Sequence, residues 1–419
     1  MSSRSRLVIA MGATIGLLPV CGAMAGIDLT AGDWKLDFSG NVNAFYVGTS
    51  CDSGSNTDVT GGLACTGDRS AAVRNGLLPA ALVFAATTQQ EGLDIGVTIG
   101  LYPGINSSAA AGVNGAGLPA ALATPGIDAR QAFLTFGNPS WGTVKMGRDI
   151  GLFGKDAILD DMTLLGVGSA PNNAAPSNTS LGRIGLGYIY TDWEPQITYT
   201  TPTYSGFSAS AGIFQPLDAV GSASYTKHSQ PQIQIGGSYA WGDANALTGK
   251  VWLDFVTQQY QASAADQSGN NAACGCVAAS SQTGNGVDAG VKLGYQGFEG
   301  VLYGYTGSGL GTTGLFILGT SASGGKRDSD GGYVQAAYKF QKLKIGLSYG
   351  MSELKRSSDE RALAPSNLLK RNSSVVGGLY YSLTKSLTLV GEYIDTKADA
   401  WNGNSAHEHD FAIGGILFF

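Results

Sequence analysis

Hydrophobic and polar side chains take turns, residue by residue, through long stretches of this chain. Over residues 93–102, Leu93, Ile95, Val97, Ile99 and Leu101 alternate with Asp94, Gly96, Thr98 and Gly100. Over residues 342–351, Leu343, Ile345, Leu347, Tyr349 and Met351 oppose Lys342, Lys344, Gly346, Ser348 and Gly350. Over residues 333–340, Val334, Ala336, Tyr338 and Phe340 oppose Gln335 and Lys339. A period of two is strand geometry, because successive side chains leave opposite faces of the pleat. Each strand therefore has a dry face and a wet face rich in Gly, Ser, Thr, Gln, Lys and Asp. A soluble sandwich would pack its dry faces together and leave charges outside. Here tyrosines and phenylalanines mark the ends of the dry faces, where a ring and hydroxyl straddle a lipid boundary.

Sheet edges cannot stay open in hydrocarbon, so such strands must close into a barrel. Short turns fall near 90–92, 138–141, 204–206, 242–247, 296–298, 340–342 and 383–386. Long polar connections fall near 47–73, 103–128, 149–181, 215–231, 262–285, 308–329, 353–373 and 397–408. The two kinds alternate strictly. Eight long and seven short connections link sixteen strands, with both termini on the short-turn side, the plan of a transmembrane antiparallel β-barrel. Residues 181–204 read as one long strand. A break at Glu194-Pro195 would raise the count to eighteen. At the end of the chain Phe411, Ile413, Leu417 and Phe419 share one face. That pattern is similar to the C-terminal signature by which outer-membrane barrels are recognised for assembly.

Composition sharpens the reading. Glycine supplies 63 of 419 residues and charged residues only 13 %, about half the roughly 25 % of soluble domains. Yet no stretch after residue 25 stays apolar long enough for a helical span. Residues 1–25 form an export signal: Arg4 and Arg6, an apolar core over 7–20, then Ala23-Met24-Ala25 as the cleavage site. Cys21 leaves with it. Residues 26–419 are then a single barrel domain, and loss of the two arginines takes the net charge from -6 to -8. With no basic stripe, nucleic acid is excluded as a partner.

Four cysteines remain, Cys51, Cys65, Cys274 and Cys276. An even count in an oxidising compartment points to disulfides, with three pairings open and the two local ones favoured. No histidine lies near them in sequence to complete a metal site. In His407-Glu408-His409 both rings fall on one strand face and the carboxylate on the other, without a third ligand. His228 also sits by an external connection. No serine stands in a nucleophile elbow, and Gly324-Gly325 and Gly331-Gly332 lack the spacing of a phosphate loop. No enzyme, cofactor or metal is expected.

Residues 130–154 (RQAFLTFGNPSWGTVKMGRDIGLFG) resemble the general porin family of Gram-negative bacteria, in which an arginine-led strand, a short turn and a Gly-Thr-Val strand end in Gly-Arg. Together with the export signal, the sixteen-strand rhythm and the terminal Phe, the resemblance spans the whole chain. It implies a homotrimer in outer-membrane lipid and lipopolysaccharide, each barrel a channel for small hydrophilic solutes and ions. It further implies that the third external loop, residues 149–180, folds into the lumen. That loop carries Asp149, Asp156, Asp160 and Asp161, with Lys155 as its basic residue. The family's wall arginines fall by motif on Arg74, Arg130 and Arg183, and Arg148 stands at the base of the loop. The Pro-Glu-Phe-Gly stretch of enteric members is absent, replaced by Met162-Thr163-Leu164-Leu165-Gly166, so Asp160 or Asp161 stands in as the acidic constriction residue.

Fixed positive charge facing fixed negative charge sets a transverse field at the narrowest point. Phe153, Ile158 and Leu159 are expected to pack the loop on the wall. Lys250, Asp254 and Glu392 read as solvated lumen residues, which with the arginines make weak anion preference the expectation. A substrate-selective channel would instead show a dense inward aromatic or lysine row. A structural or adhesive barrel with a blocked lumen is the third alternative.

Overall fold

The computed structural model describes residues 26–52, 54, 56–65, 67, 69–106, 126–170, 178–219, 227–243, 246–261 and 281–419. Its strands in the first half are β1 (Ile27–Ala31), β2 (Trp34–Cys51), β3 (Ser70–Arg74), β4 (Ala81–Gln90), β5 (Leu93–Pro103), β6 (Ile127–Asn138), β7 (Gly142–Ile150), β8 (Trp193–Thr200) and β9 (Phe207–Phe214). The second half adds β10 (Gln232–Trp241), β11 (Thr248–Gln261), β12 (Ser281–Tyr295), β13 (Phe298–Ser308), β14 (Asp328–Phe340), β15 (Leu343–Leu354), β16 (Leu369–Ser382), β17 (Leu387–Ala400) and β18 (Ser405–Phe418). Helix is confined to connections: α1 (Lys155–Leu159), a 3-10 turn at Met162–Leu165, and α2 (Ser358–Arg361).

All pairings between strands are antiparallel, and β18 returns to β2, with Phe418 opposite Asn41 and Glu408 opposite Cys51. The last residue completes the seam, since Phe419 and Gly40 exchange backbone hydrogen bonds at 2.9 and 3.1 Å. The eighteen segments make sixteen staves. β3 and β4 are the two halves of one stave, both paired with β2, and β1 folds back on the foot of β2. No helix among the described residues is long and apolar enough to cross a membrane.

Alternation sorts the side chains as the sequence requires. On β15, Ile345, Leu347 and Tyr349 are exposed on the outer surface while Ser348 and Ser352 are buried inside. On β5, Ile99 and Leu101 face out and Tyr102 faces in. An outer surface this apolar is stable only against lipid.

Two readings of the sequence need correction, and the count of sixteen staves holds. Residues 181–192 are not strand: Gly182, Gly185, Gly187 and Asp192 all have positive φ, which a pleated strand cannot use. The alternation of glycine with Leu and Ile there imitated a strand. Stave β8 begins only at Trp193 and runs through Pro195 unbroken, because Pro195 needs only its carbonyl, which accepts from the Gln215 N–H; sixteen is therefore the count, not eighteen. The last external connection is not long. The strand continues through Ala400 and the next begins at Ser405, leaving a turn over residues 401–404.

Cys51 and Cys65 form a disulfide, with Cα atoms 5.3 Å apart, closing the first external connection. Cys274 and Cys276 lie outside the described residues, as do residues 1–25.

Candidate functional site

The described residues of the third connection, within 151–192, are held by inward-facing polar side chains of four staves and by one backbone hydrogen bond. The Gln234 side-chain carbonyl on β10 accepts from the N–H groups of Leu152 (2.6 Å) and Phe153 (2.9 Å). Asp288 on β12 accepts from Gly154 N–H at 2.7 Å. Gln335 on β14 accepts from Met162 N–H and donates to the Asp160 carbonyl, at 2.9 and 2.7 Å. Glu392 on β17 accepts from Val167 and Gly168 N–H, at 2.8 and 2.9 Å. Finally Leu77 N–H donates to the Gly166 carbonyl at 2.9 Å, in the interruption between β3 and β4. Irregular backbone placed here would otherwise leave orphaned polar groups. Glu392 is thus a loop anchor and not a solvated residue.

Apolar packing completes the attachment. Phe153, Ala157 and Ile158 are buried against Trp252, Val256, Tyr303 and Tyr333 of the wall. Leu310, Leu315 and Phe316, from the connection between β13 and β14, join the same core. Leu159 only borders it and keeps part of its surface in the lumen.

Gly154, with φ of 75°, turns the chain into α1. Helical spacing then sets Asp156 and Asp160 on one face. Lys250 on β11 reaches Asp156 at 2.7 Å and Asp160 at 3.6 Å, and Lys292 on β12 reaches Asp160 at 2.9 Å. Glu299 on β13 joins them, 3.3 Å from Lys292 and 2.9 Å from Lys344 on β15. Asp161 behaves differently. It is buried, caps the 3-10 turn through Thr163 N–H at 2.9 Å, and accepts from the Tyr188 hydroxyl at 2.9 Å. Burial raises its carboxyl above the usual range, while the Arg183 guanidinium and these donors oppose the rise. Burial likewise pushes the Tyr190 phenol up to about 12.

The four expected arginines do not form one ladder. Arg183 belongs to the loop, not to a strand; fully buried, it donates to the carbonyls of Ser348 (2.6 Å) and Ser374 (3.2 Å). Arg74 ends β3, is also fully buried, and donates to the Thr179 carbonyl at 2.6 Å. Both fasten the connection. Arg130 does line the lumen: a register shift between β5 and β6 beside it turns the side chain inward, where it meets Asp128 at 3.1 Å and lies over the Tyr102 ring at 5.5 Å. Arg148 pairs in register with Ala132 and Pro195 and is among the residues that line the lumen. Asp149 is buried and pairs with Lys145.

The lysines facing α1 are the part sequence reading underweighted. The signal was there, because Lys292 alternates with Val291 and Leu293 as Lys250 does with Val251. Their partners on a distant loop were not legible.

Of the histidine motif, Glu408 points inward and accepts from Cys65 N–H at 2.6 Å, while His409 outside pairs with Asp395 at 2.9 Å. His228 pairs with Asp218 at 2.9 Å. Among the described residues no cluster of His, Cys, Asp or Glu could hold a metal.

The remaining lumen is a cavity of about 3100 Å³. Its lining runs from short-turn residues such as Trp34, Pro139 and Lys385 to Ile127, Asp192 and Ile317 at the opposite end.

Residues 13–400 match the family described as Gram-negative porin. The fold is similar to that of the outer-membrane channel DcaP of Acinetobacter baumannii, with a TM-score of 0.65 at 16 % identity over 93 % of this chain and 99 % of that one. An anion-selective porin from Comamonas acidovorans gives 0.58 at 13 % identity over 92 % and 100 %. OmpF of Salmonella typhi, in complex with daunomycin, gives 0.53 at 14 % identity over 94 % and 100 %. No curated protein sequence matches significantly.

Proposed function

The chain belongs to the Gram-negative porin family, and from that premise we propose how its lumen sorts the small solutes such channels pass. The third connection narrows the lumen. The narrowing carries a transverse field between Asp156 and Asp160 on α1 and Lys250 and Lys292 on the wall, with Arg130 and Lys145 adding positive charge elsewhere on the lining. A solute crosses with its water when its charge and dipole tolerate that field, and no bond is made or broken.

The observation that carries this reading is the cavity of about 3100 Å³, whose described lining reaches from short-turn residues such as Trp34 and Lys385 to Ile127 and Ile317. Its described lining includes eleven basic and ten acidic side chains, although the whole chain is at -6. A wall so nearly balanced favours anions only weakly. The protein is exported by a signal in residues 1–25, assembles as a homotrimer, and sits among outer-membrane lipid and lipopolysaccharide, as the family resemblance implies.

Planar-bilayer recording of the purified protein tests the reading. Ohmic steps that scale with salt, and a small reversal potential of anionic sign across a KCl gradient, are expected. Absence of conductance, or strong cation selectivity, would overturn it.

A further inference from the structure

A water-filled lumen gains nothing from exposed leucine, yet Leu78, Leu159, Leu181 and Tyr190 are all only partly buried and all line this one. They are the lumen edge of the dry core that joins the third connection to the wall. Their hydration is a standing cost unless something apolar covers them in use.

Lys155 stands next to this surface. It lies four residues before Leu159 on α1, so the two share a helix face, apart from Asp156 and Asp160, which turn to the wall lysines. Lys155 also lines the lumen and makes no ion pair among the described residues. An ammonium that is in no close ion pair, with Asp254 as the buried carboxylate within its electrostatic reach, thus adjoins a confined apolar strip with an aromatic member.

We propose that this strip is a solute subsite for aromatic carboxylates, whose flat ring covers Leu159, Leu181, Leu78 and Tyr190 while the carboxylate meets Lys155. The inference rests on the channel reading above and names one solute class within it. Charge alone would accept any small anion at Lys155, and apolar surface alone would hold a neutral ring as well. The adjacency of the two selects molecules having both. Binding is weak and transient, because a channel must release what it admits.

The test is block of chloride current through the reconstituted full-length protein, with benzoate compared to gluconate, a carboxylate of the same charge whose body is polar. Benzoate is expected to lower the current at concentrations where gluconate does not. Leu159→Asn should raise the half-blocking benzoate concentration by roughly fivefold, and Lys155→Gln by roughly threefold. Leu159→Met should keep the wild-type block, which separates loss of apolar surface from disturbance of the loop. Equal block by the two anions, or equal benzoate block in Leu159→Asn and wild type, overturns the subsite while leaving the channel reading intact. Absence of chloride current altogether would overturn the channel reading itself.

Discussion

Lys250 and Lys292 stand directly opposite one another in the pairing of β11 with β12. Like charges so placed repel, and the arrangement persists because three carboxylates close around them. Asp156 and Asp160 come from the loop, and Glu299 comes from the next stave. The loop thereby seats its acidic face on a wall that needs it. The side chains of this cluster keep only between 12 % and 32 % of their surface exposed, so the cost of desolvating the charges offsets much of their attraction. Under the proposed function their effect belongs to the transverse field. Lys292→Gln should move the reversal potential in a KCl gradient toward cations, and Asp160→Asn should move it toward anions, with assembled protein recovered in normal yield. Identical reversal potentials in the two variants would remove this cluster from the selectivity mechanism.

Glu392 holds the middle of the loop through two backbone N–H groups and accepts from the Tyr380 hydroxyl at 2.6 Å. Glu392→Ala would leave Val167 and Gly168 without acceptors, at a cost of about 1–3 kcal/mol each. The barrel pairings do not depend on it. Open-channel noise should rise and a protease should gain a cut near residues 166–170, while the folded barrel still resists detergent. Wild-type noise together with wild-type protease resistance would show that the remaining anchors suffice.

The Cys51–Cys65 disulfide closes the loop whose residues also grip the wall. Leu63 N–H donates to the Asn372 side chain and Cys65 N–H to Glu408. In the chain-entropy model a closure of this size is worth about 3 kcal/mol. Reduction, or the pair Cys51→Ser and Cys65→Ser, should lower the temperature at which the barrel unfolds in detergent without abolishing conductance. An unchanged unfolding temperature would mean that packing alone fixes this loop.

Strand parity was legible because it is local. The faces of β5, β14 and β15 follow from alternation, and so did sixteen staves. What failed was local pattern that nonlocal structure reinterprets. The run LGRIGLGY has strand-like alternation, yet its glycines take positive φ and fold it into the connection. Arg183 consequently became an internal fastener. Arg74 ends a half-stave whose interruption, over residues 75–80, exists to receive Gly166 and Ser180, a need set by a loop a hundred residues away. Arg130 kept its lumen position only because a register shift turned it inward. Lys250 was read correctly as inward, but its pairing with Asp156 joins residues 94 apart.

Arg183 and Asp161 provide the sharpest test of the loop's internal wiring. Burial raises the Asp161 carboxyl, and Arg183 is the first influence opposing that rise, ahead of Thr163 and Tyr188. A carboxyl with a folded value above its unfolded one favours the folded loop at low pH and withdraws that contribution as pH rises through the folded value. Arg183→Met deletes the main opposition, so the folded value climbs further and the withdrawal grows. The variant loop should therefore be protease-resistant in acid and open progressively as pH rises above the ordinary carboxylate range. Adding Asp161→Asn removes the titrating group, so the double variant should lose the pH dependence and regain much of the resistance. Proteolysis of the detergent-solubilised protein across a pH series reads both effects. A loop in Arg183→Met equally resistant at every pH would show that the guanidinium serves only the Ser348 and Ser374 carbonyls and leaves Asp161 untouched.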